Sequence, residues 1–191
     1  MKLSGFSLLE LMVATVLGAM LLLTASAMFM TFMIGNASTN VRRQMSAEGT
    51  QMLGTLEYHI RNAADATVGP NTSTQTCTTT TGSTGTHLIL TNLGGGTKTT
   101  ACFGNVTEGG IDNKRLFFYP GQTVSPPTCI VNATNALNSV KAPISPTTDS
   151  YKFTCIQAAN GKKTIKIEFT LGSEDSAINA PFSTTVQLRN S

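Results

Sequence analysis

The 191-residue chain has little charge, no tryptophan and only seven prolines. Its apolar content of 40% excludes an intrinsically disordered chain, and its 17 glycines show no three-residue repeat, which excludes collagen. The formal net charge of +3 is too small for the electrostatic footprint of a nucleic-acid-binding protein. The length and composition therefore predict one globular domain of modest size, with part of the chain lying outside that domain.

The sequence also lacks the residue patterns of an enzyme or a metalloprotein. It has only two histidines, His59 and His87, and neither shares a motif with an acidic residue. The four cysteines show no CxxC or Cys/His spacing, which argues against zinc. Three glycines at 94–96 do not connect a strand to a helix, so they predict a turn rather than a phosphate-binding loop. We therefore expect a protein without catalytic activity, cofactor or metal.

Charge is most conspicuously missing near the N-terminus, where Glu10 is the only ionisable side chain between Phe6 and Val41. From Leu11 to Ile34 the chain is almost continuously apolar. At ~1.5 Å per residue this run is long enough to cross a ~30 Å hydrocarbon core. It predicts one membrane span with the rest of the chain outside the cytoplasm, where cysteines form disulfides.

A cleavable signal peptide is an alternative interpretation of the same segment. Lys2 supplies its basic start, and Ala25-Ser26-Ala27 supplies a cleavage site. However, the apolar run continues to Ile34, and a carboxylate such as Glu10 costs roughly 2.5–3.5 kcal/mol within a membrane span. Because such a residue is by default functional, we favour a retained span.

Residues 5–14, with the sequence GFSLLELMVA, follow a short basic leader and resemble the processing site of type IV prepilins and pseudopilins. The resemblance covers about 35 residues, and it implies that a prepilin peptidase cuts between Gly5 and Phe6. The new terminus, Phe6, would then be N-methylated, and Glu10 would become the fifth residue of the mature chain. Residues 1–5 would be the prepilin leader.

The same resemblance implies a role for Glu10 in subunit assembly. A buried carboxylate is stabilised when it faces the amino group of Phe6 on a neighbouring subunit. The partners would be other pilin or pseudopilin subunits, joined through their N-terminal helices. The alternative is that Glu10 extends to the headgroups at the start of the span and has no partner.

Beyond the span, the helix is predicted to continue with one apolar face. Its apolar residues recur at three- and four-residue spacing; they are Met45, Met52, Leu53, Leu56, Ile60, Ala63 and Ala64. No proline interrupts residues 6–69, and Gly69-Pro70 supplies a stop. We predict one helix over 6–66, whose first half spans the membrane and forms the filament core. Gly18 and Gly35 have the lowest helix propensity in that first half. They could be sites of close packing or of local melting in a filament, or they could be ordinary glycines of a transmembrane helix.

The residues from 67 to 191 are predicted to form a β-rich head. A Thr/Ser-rich loop over 67–86 bears Cys77, and six short strands follow. The predicted strands are His87–Asn92, Lys98–Phe103, Arg115–Tyr119, Tyr151–Gln157, Thr164–Leu171 and Phe182–Leu188. A turn at Ala159–Lys162 joins the fourth strand to the fifth. The long helix packed on this antiparallel sheet is an α+β fold.

The cysteines Cys77, Cys102, Cys129 and Cys155 allow three pairings. We favour Cys77 with Cys102 and Cys129 with Cys155, because each bond would close a loop of about 25 residues. A bond of that kind contributes roughly 3–4 kcal/mol by restricting the unfolded chain.

Two further clusters have weaker functional interpretations. Acidic and amide residues in turns could hold calcium, although turn acids are usually solvated; they are Asp112, Asn113, Asp149, Glu174 and Asp175. Lys162, Lys163 and Lys166 could contact DNA, but a solvated hairpin is favoured because no aromatic residues are interleaved. Nucleic acid is therefore left open as a partner without being indicated.

The helix, the variable loop, the sheet and the C-terminal strand together resemble minor pilins of the PilW-like type and pseudopilins of the J-like type. This resemblance implies a bacterial inner-membrane subunit with a periplasmic head, which primes or caps a type IV pilus or a secretion pseudopilus. The alternative function is a membrane-tethered or secreted binding module, with no role in a filament, that recognises a surface, a ligand or DNA.

Overall fold

The computed structural model describes residues 7–69, 75–77, 82–93, 97–108, 111–121, 133–139, 142–145, 151–173 and 178–189. A 54-residue helix, α1, runs from Leu8 to Arg61. Nine strands follow it: β1 Ala63–Gly69, β2 Gln75–Thr76, β3 Ser83–Gly85, β4 His87–Asn92, β5 Lys98–Glu108, β6 Ile111–Tyr119, β7 Tyr151–Gln157, β8 Lys163–Gly172 and β9 Asn179–Gln187. A short 3-10 turn lies at Ala133–Asn135. The α+β prediction is confirmed.

The chain divides into two compact units, Met1–Val41 and Arg42–Ser191. The second unit contains two antiparallel sheets rather than the single sheet that we predicted. Their strand orders are β2-β1-β4-β5-β6 and β3-β7-β8-β9. The sheets separate at Thr86, because β3 before it pairs with β7 whereas β4 after it pairs with β1 and β5.

Local sequence patterns placed most strands correctly. β4 and β7 have the predicted bounds, and the other four predicted strands overlap longer observed ones. The predicted turn between β7 and β8 is confirmed, because the Ala158 N–H donates to the Lys162 carbonyl over 2.8 Å. Gly161 adopts a φ of +84° there, which glycine tolerates without a steric cost.

The predicted helix end at residue 66 is wrong, because α1 ends at Arg61 and the next residues form β1. In this strand Ala66 and Val68 are buried, and Thr67 lies opposite Ile89 of β4. The strand therefore gains hydrogen bonds to β4 and a buried face, which outweigh the good helix propensity of its alanines. The predicted loop at 67–86 likewise contains the end of β1, together with β2 and β3.

Within the second unit, α1 buries one stripe of side chains. The buried residues are Met45, Gly49, Met52, Leu56 and Ile60. The predicted apolar face is thus confirmed at four positions, whereas Leu53 is half-buried and both Ala63 and Ala64 lie in β1. Gly49 belongs to the stripe because a Cβ there would lie 2.3 Å from the ring of Phe182. The missing side chain lets β9 approach the helix.

The second sheet has the alternation that the sequence predicted. Ile165, Ile167, Phe169 and Leu171 of β8 are buried, and the residues between them are partly exposed. The Phe169 ring stacks on Phe182 of β9, with ring centroids 5.4 Å apart. These side chains form the apolar face that this sheet turns to the interior.

The predicted disulfide pairing is wrong. The structure joins Cys77 to Cys155, with their Cα atoms 5.1 Å apart and 78 residues of sequence separation. Pairing of β3 with β7 places Ser83 opposite Cys155, and so brings the chain after β2 beside β7. Closing a longer loop adds little entropic cost, so strand pairing rather than loop length decides the partner. Cys102 is also disulfide-bonded, and Cys129 lies outside the described residues.

We therefore predict two disulfides, Cys77–Cys155 and, by elimination, Cys102–Cys129. Peptide mapping of the non-reduced protein should recover these two cross-linked pairs, because the strand register fixes the first and leaves one partner for Cys102. Recovery of a Cys77–Cys102 peptide would contradict the strand pairing of the head.

Candidate functional site

The candidate site is the beginning of α1. The helix starts at Leu8, and the Ser7 carbonyl accepts hydrogen bonds from the N–H groups of Glu10, over 3.0 Å, and Leu11, over 3.2 Å. Glu10 therefore lies in the first turn of the helix, where a negative charge is favourable. Phe6 and the predicted leader, which includes Gly5, lie outside the described residues.

One local role is open to the Glu10 carboxylate. Ser7 and Glu10 have the spacing of a capping box, in which a glutamate side chain bonds back to the backbone at the helix start. Glu10 is exposed, however, and no side-chain hydrogen bond or ion pair joins it to the described part of the chain. The carboxylate is therefore accessible to a group from outside this chain.

The helix that follows has an apolar surface over its whole first half. An 18-residue window has a mean hydropathy of 2.2 and is not buried at all, so α1 is long and apolar enough to cross a membrane. Its large side chains are 51–78% exposed between Leu8 and Ile34. An apolar surface of this extent requires lipid or other helices around it. The N-terminal segment thus has the length and composition of a membrane anchor.

The hydroxyl groups of this segment are satisfied within the helix itself. Four of them donate to carbonyl groups three or four residues earlier, over 2.8–3.0 Å; they belong to Thr15, Thr24, Ser26 and Thr31. Just beyond the apolar run, Ser38 and Thr39 both donate to the Gly35 carbonyl. Internal hydrogen bonds of this kind allow polar side chains to lie in hydrocarbon.

The structure does not assemble the lysine cluster of the β7–β8 hairpin into a free cationic patch. Lys163 forms an ion pair with Asp65 of β1, and Lys166 contacts Glu168 over 2.8 Å. Only Lys162 remains exposed without an acidic partner in the described chain. Two of the three charges are thus compensated, which weakens the DNA hypothesis.

The acids considered for calcium lie mostly outside the part of the chain that the structure describes. Asp112 and Asn113 lie in β6, whereas Asp149, Glu174 and Asp175 fall outside the described residues. Within the described ranges, no group of three or more His, Cys, Asp or Glu side chains could hold a metal ion.

The two histidines are packing residues of the head. The His59 ring lies 4.5 Å from the Phe118 ring, centroid to centroid, and partial burial lowers the pKa of His59. His87 is only 2% exposed, and its Nδ1 lies 3.1 Å from Thr86 Oγ1. Its Nε2 is buried without a partner among the described residues, and burial lowers the pKa of His87 below its ordinary value of 6.5. No pattern in the sequence indicates this environment.

This burial predicts a head that loses stability in acid. Below about pH 6.5 the unfolded chain binds protons at His59 and His87, which the folded chain resists because both pKa values are lowered. The free energy of unfolding should therefore fall as the pH falls from 7 to 5. Urea titrations at a series of pH values should show a shallower fall for His87→Asn than for the wild type. An unchanged slope in His87→Asn would contradict the burial of a neutral imidazole.

Comparison with known protein families gives one match, and it coincides with this site. Residues 1–26 match the family model of the prokaryotic N-terminal methylation motif. No curated protein and no solved structure matches the chain significantly. The match includes Gly5, Phe6 and Glu10 and extends into the apolar half of α1, but it does not reach the head.

Proposed function

Because the methylation motif marks this chain as a type IV pilin- or pseudopilin-like prepilin, we propose that it is a minor structural subunit. In this proposal it primes or caps the assembly of a type IV pilus or a secretion pseudopilus. The observation that carries the proposal is Glu10, an accessible carboxylate at the start of an exposed apolar helix within the motif.

The chemistry of assembly follows from this placement of charge. Glu10 would pair with the amino terminus of Phe6 on an adjacent subunit, after prepilin peptidase has removed residues 1–5. In the apolar surroundings of a helix bundle, each of these charges needs the other, because an unpaired buried charge costs several kcal/mol. The pair therefore favours the entry of a matched subunit from the membrane.

The apolar first half of α1 is suited to two successive environments. Lipid covers its exposed side chains in the inner membrane, and the helices of other subunits would cover them in a filament. The hydroxyl groups already bonded to the helix backbone add no desolvation cost to this transfer. This accounts for a span that is apolar on all sides rather than on one face.

Two features support a minor rather than a major subunit. The described helix contains no proline in its first half, unlike the helices of many major pilins. The disulfide Cys77–Cys155 joins distant parts of the head, instead of closing one loop near the C-terminus as in several major adhesive pilins.

We predict that the mature chain begins with N-methylated Phe6 and is found in membranes and, as a small fraction, in sheared filaments. Gly5 and Phe6 match the processing motif, and the peptidase that reads it also methylates the new terminus. Intact-mass and N-terminal peptide analysis of both fractions tests the cleavage site and the abundance together. A chain that begins at Met28 would show signal-peptide cleavage and would remove the basis of the filament proposal.

A further inference from the structure

Two arginines stand just beyond the apolar segment of α1. Arg42 and Arg43 are the only charged residues between Leu11 and Ala47, and both side chains are exposed. Residues 35–41, which precede them, are mostly small and polar and carry no charge. The pair is thus a double positive charge on a long uncharged stretch of helix.

Neither arginine has an acidic partner among the described residues, unlike several other basic side chains of this chain. Arg61, for example, contacts Glu57 over 2.6 Å. Glu48 is the nearest acid along the helix, but its carboxylate already accepts bonds from the Ser139 N–H over 3.0 Å and hydroxyl over 2.7 Å, and from Gln44. Arg42 and Arg43 are therefore available to an external anion.

The helical rise places this pair at the far surface of a bilayer. Thirty-two residues separate Glu10 from Arg42, which corresponds to about 48 Å of helix. A bilayer with its headgroups is about 40–45 Å thick, and a tilt of roughly 20° brings the two lengths together. When Glu10 lies at the cytoplasmic headgroups, Arg42 and Arg43 lie at the extracytoplasmic ones.

We propose that Arg42 and Arg43 bind the phosphate groups of anionic phospholipids in the extracytoplasmic leaflet and so hold the subunit at a fixed depth. The guanidinium group presents paired N–H donors that match phosphate oxygens. This inference rests on the proposed function, because it requires a retained span. Entry into a filament would then break these lipid contacts.

The test uses the mature full-length chain in vesicles of phosphatidylcholine with about 30% phosphatidylglycerol. The chain has no tryptophan, so Asn40→Trp introduces a single fluorescent reporter beside the arginines. Brominated phosphatidylglycerol and brominated phosphatidylcholine are compared as quenchers of this tryptophan. Each arginine near an anionic surface strengthens association with that surface about fivefold. With two arginines, phosphatidylglycerol should therefore associate with this position up to about 25-fold more strongly than phosphatidylcholine does.

Three variants in the Asn40→Trp background make the comparison specific. Arg42→Gln/Arg43→Gln should abolish the lipid preference, and Arg42→Lys/Arg43→Lys should retain part of it. Lys98→Gln/Arg189→Gln removes the same charge from two exposed positions of the head and should retain all of it.

Each alternative outcome contradicts a stated claim. A chain that carbonate extracts from the vesicles has no span, which overturns both this inference and the proposed function. An inserted chain that shows equal quenching with and without the arginines overturns this inference alone. If the Gln variant keeps the lipid preference but loses cross-links to neighbouring subunits in cells, the arginines bind protein acids instead of lipid.

Discussion

Glu10→Gln should lower the incorporation of this subunit into sheared filaments at least tenfold, while synthesis, membrane insertion and cleavage after Gly5 stay normal. The glutamine keeps the shape of the side chain and can still cap the helix, as glutamine does in a capping box. It removes only the charge. Losing one partner of a buried ion pair costs about 3–5 kcal/mol, because the amino terminus of the neighbouring subunit is left uncompensated. Glu10→Ala should have the same effect, and both changes make the span less costly to insert.

The measurement is immunoblotting of membrane and sheared fractions, with filament counts on the same cells. Glu57→Gln is the matched control, because it removes a glutamate from the same helix at an exposed ion pair with Arg61. Such surface pairs contribute little, so this control should assemble normally. Normal incorporation and filament numbers in Glu10→Gln would favour the membrane-tethered binding module over a filament subunit.

Gly85→Ala should destabilise the head by about 3 kcal/mol, a large part of the roughly 5–15 kcal/mol by which a typical domain is stable. A Cβ at Gly85 would lie 2.1 Å from the carbonyl oxygen and 2.2 Å from the carbonyl carbon of Gly69. These atoms belong to the backbone of β1, so no rotamer change relieves the contact. The two strands would have to separate at the place where one sheet passes the other, beside the pairing of β3 with β7.

Thermal and urea unfolding of the full-length chain in detergent, followed by circular dichroism, would measure this effect. Gly54→Ala is the control, because a Cβ there meets nothing within 4 Å and the position is helical. It should stabilise the chain by about 0.5–1 kcal/mol through its better helix propensity. A Gly85→Ala protein with wild-type stability would mean that β1 and β3 are not in close contact.

The N-terminal part of the candidate site could be predicted from local sequence because its signals are themselves local. Gly5, Phe6 and Glu10 lie within six residues of each other, and the apolar run that follows needs no partner to be recognised. The alternation in β8 and the turn at Gly161 are local in the same sense, since each depends on the direction of successive side chains or on one backbone angle. For this reason the long apolar helix, the α+β class and six strands follow from the sequence by itself.

The remaining features were decided by tertiary structure, because each depends on residues far apart in the chain. Ala63–Gly69 is a strand because β4 pairs with it, although its alanines favour a helix. Cys77 joins Cys155 because β3 lies against β7, and no loop length indicates that register. The burial of the His87 imidazole and the hydrogen bond from the Ser139 hydroxyl to the Glu48 carboxylate depend on long-range packing of the same kind. Local propensities differ by about 1 kcal/mol or less per residue, whereas strand pairing and burial act on whole segments and therefore override them.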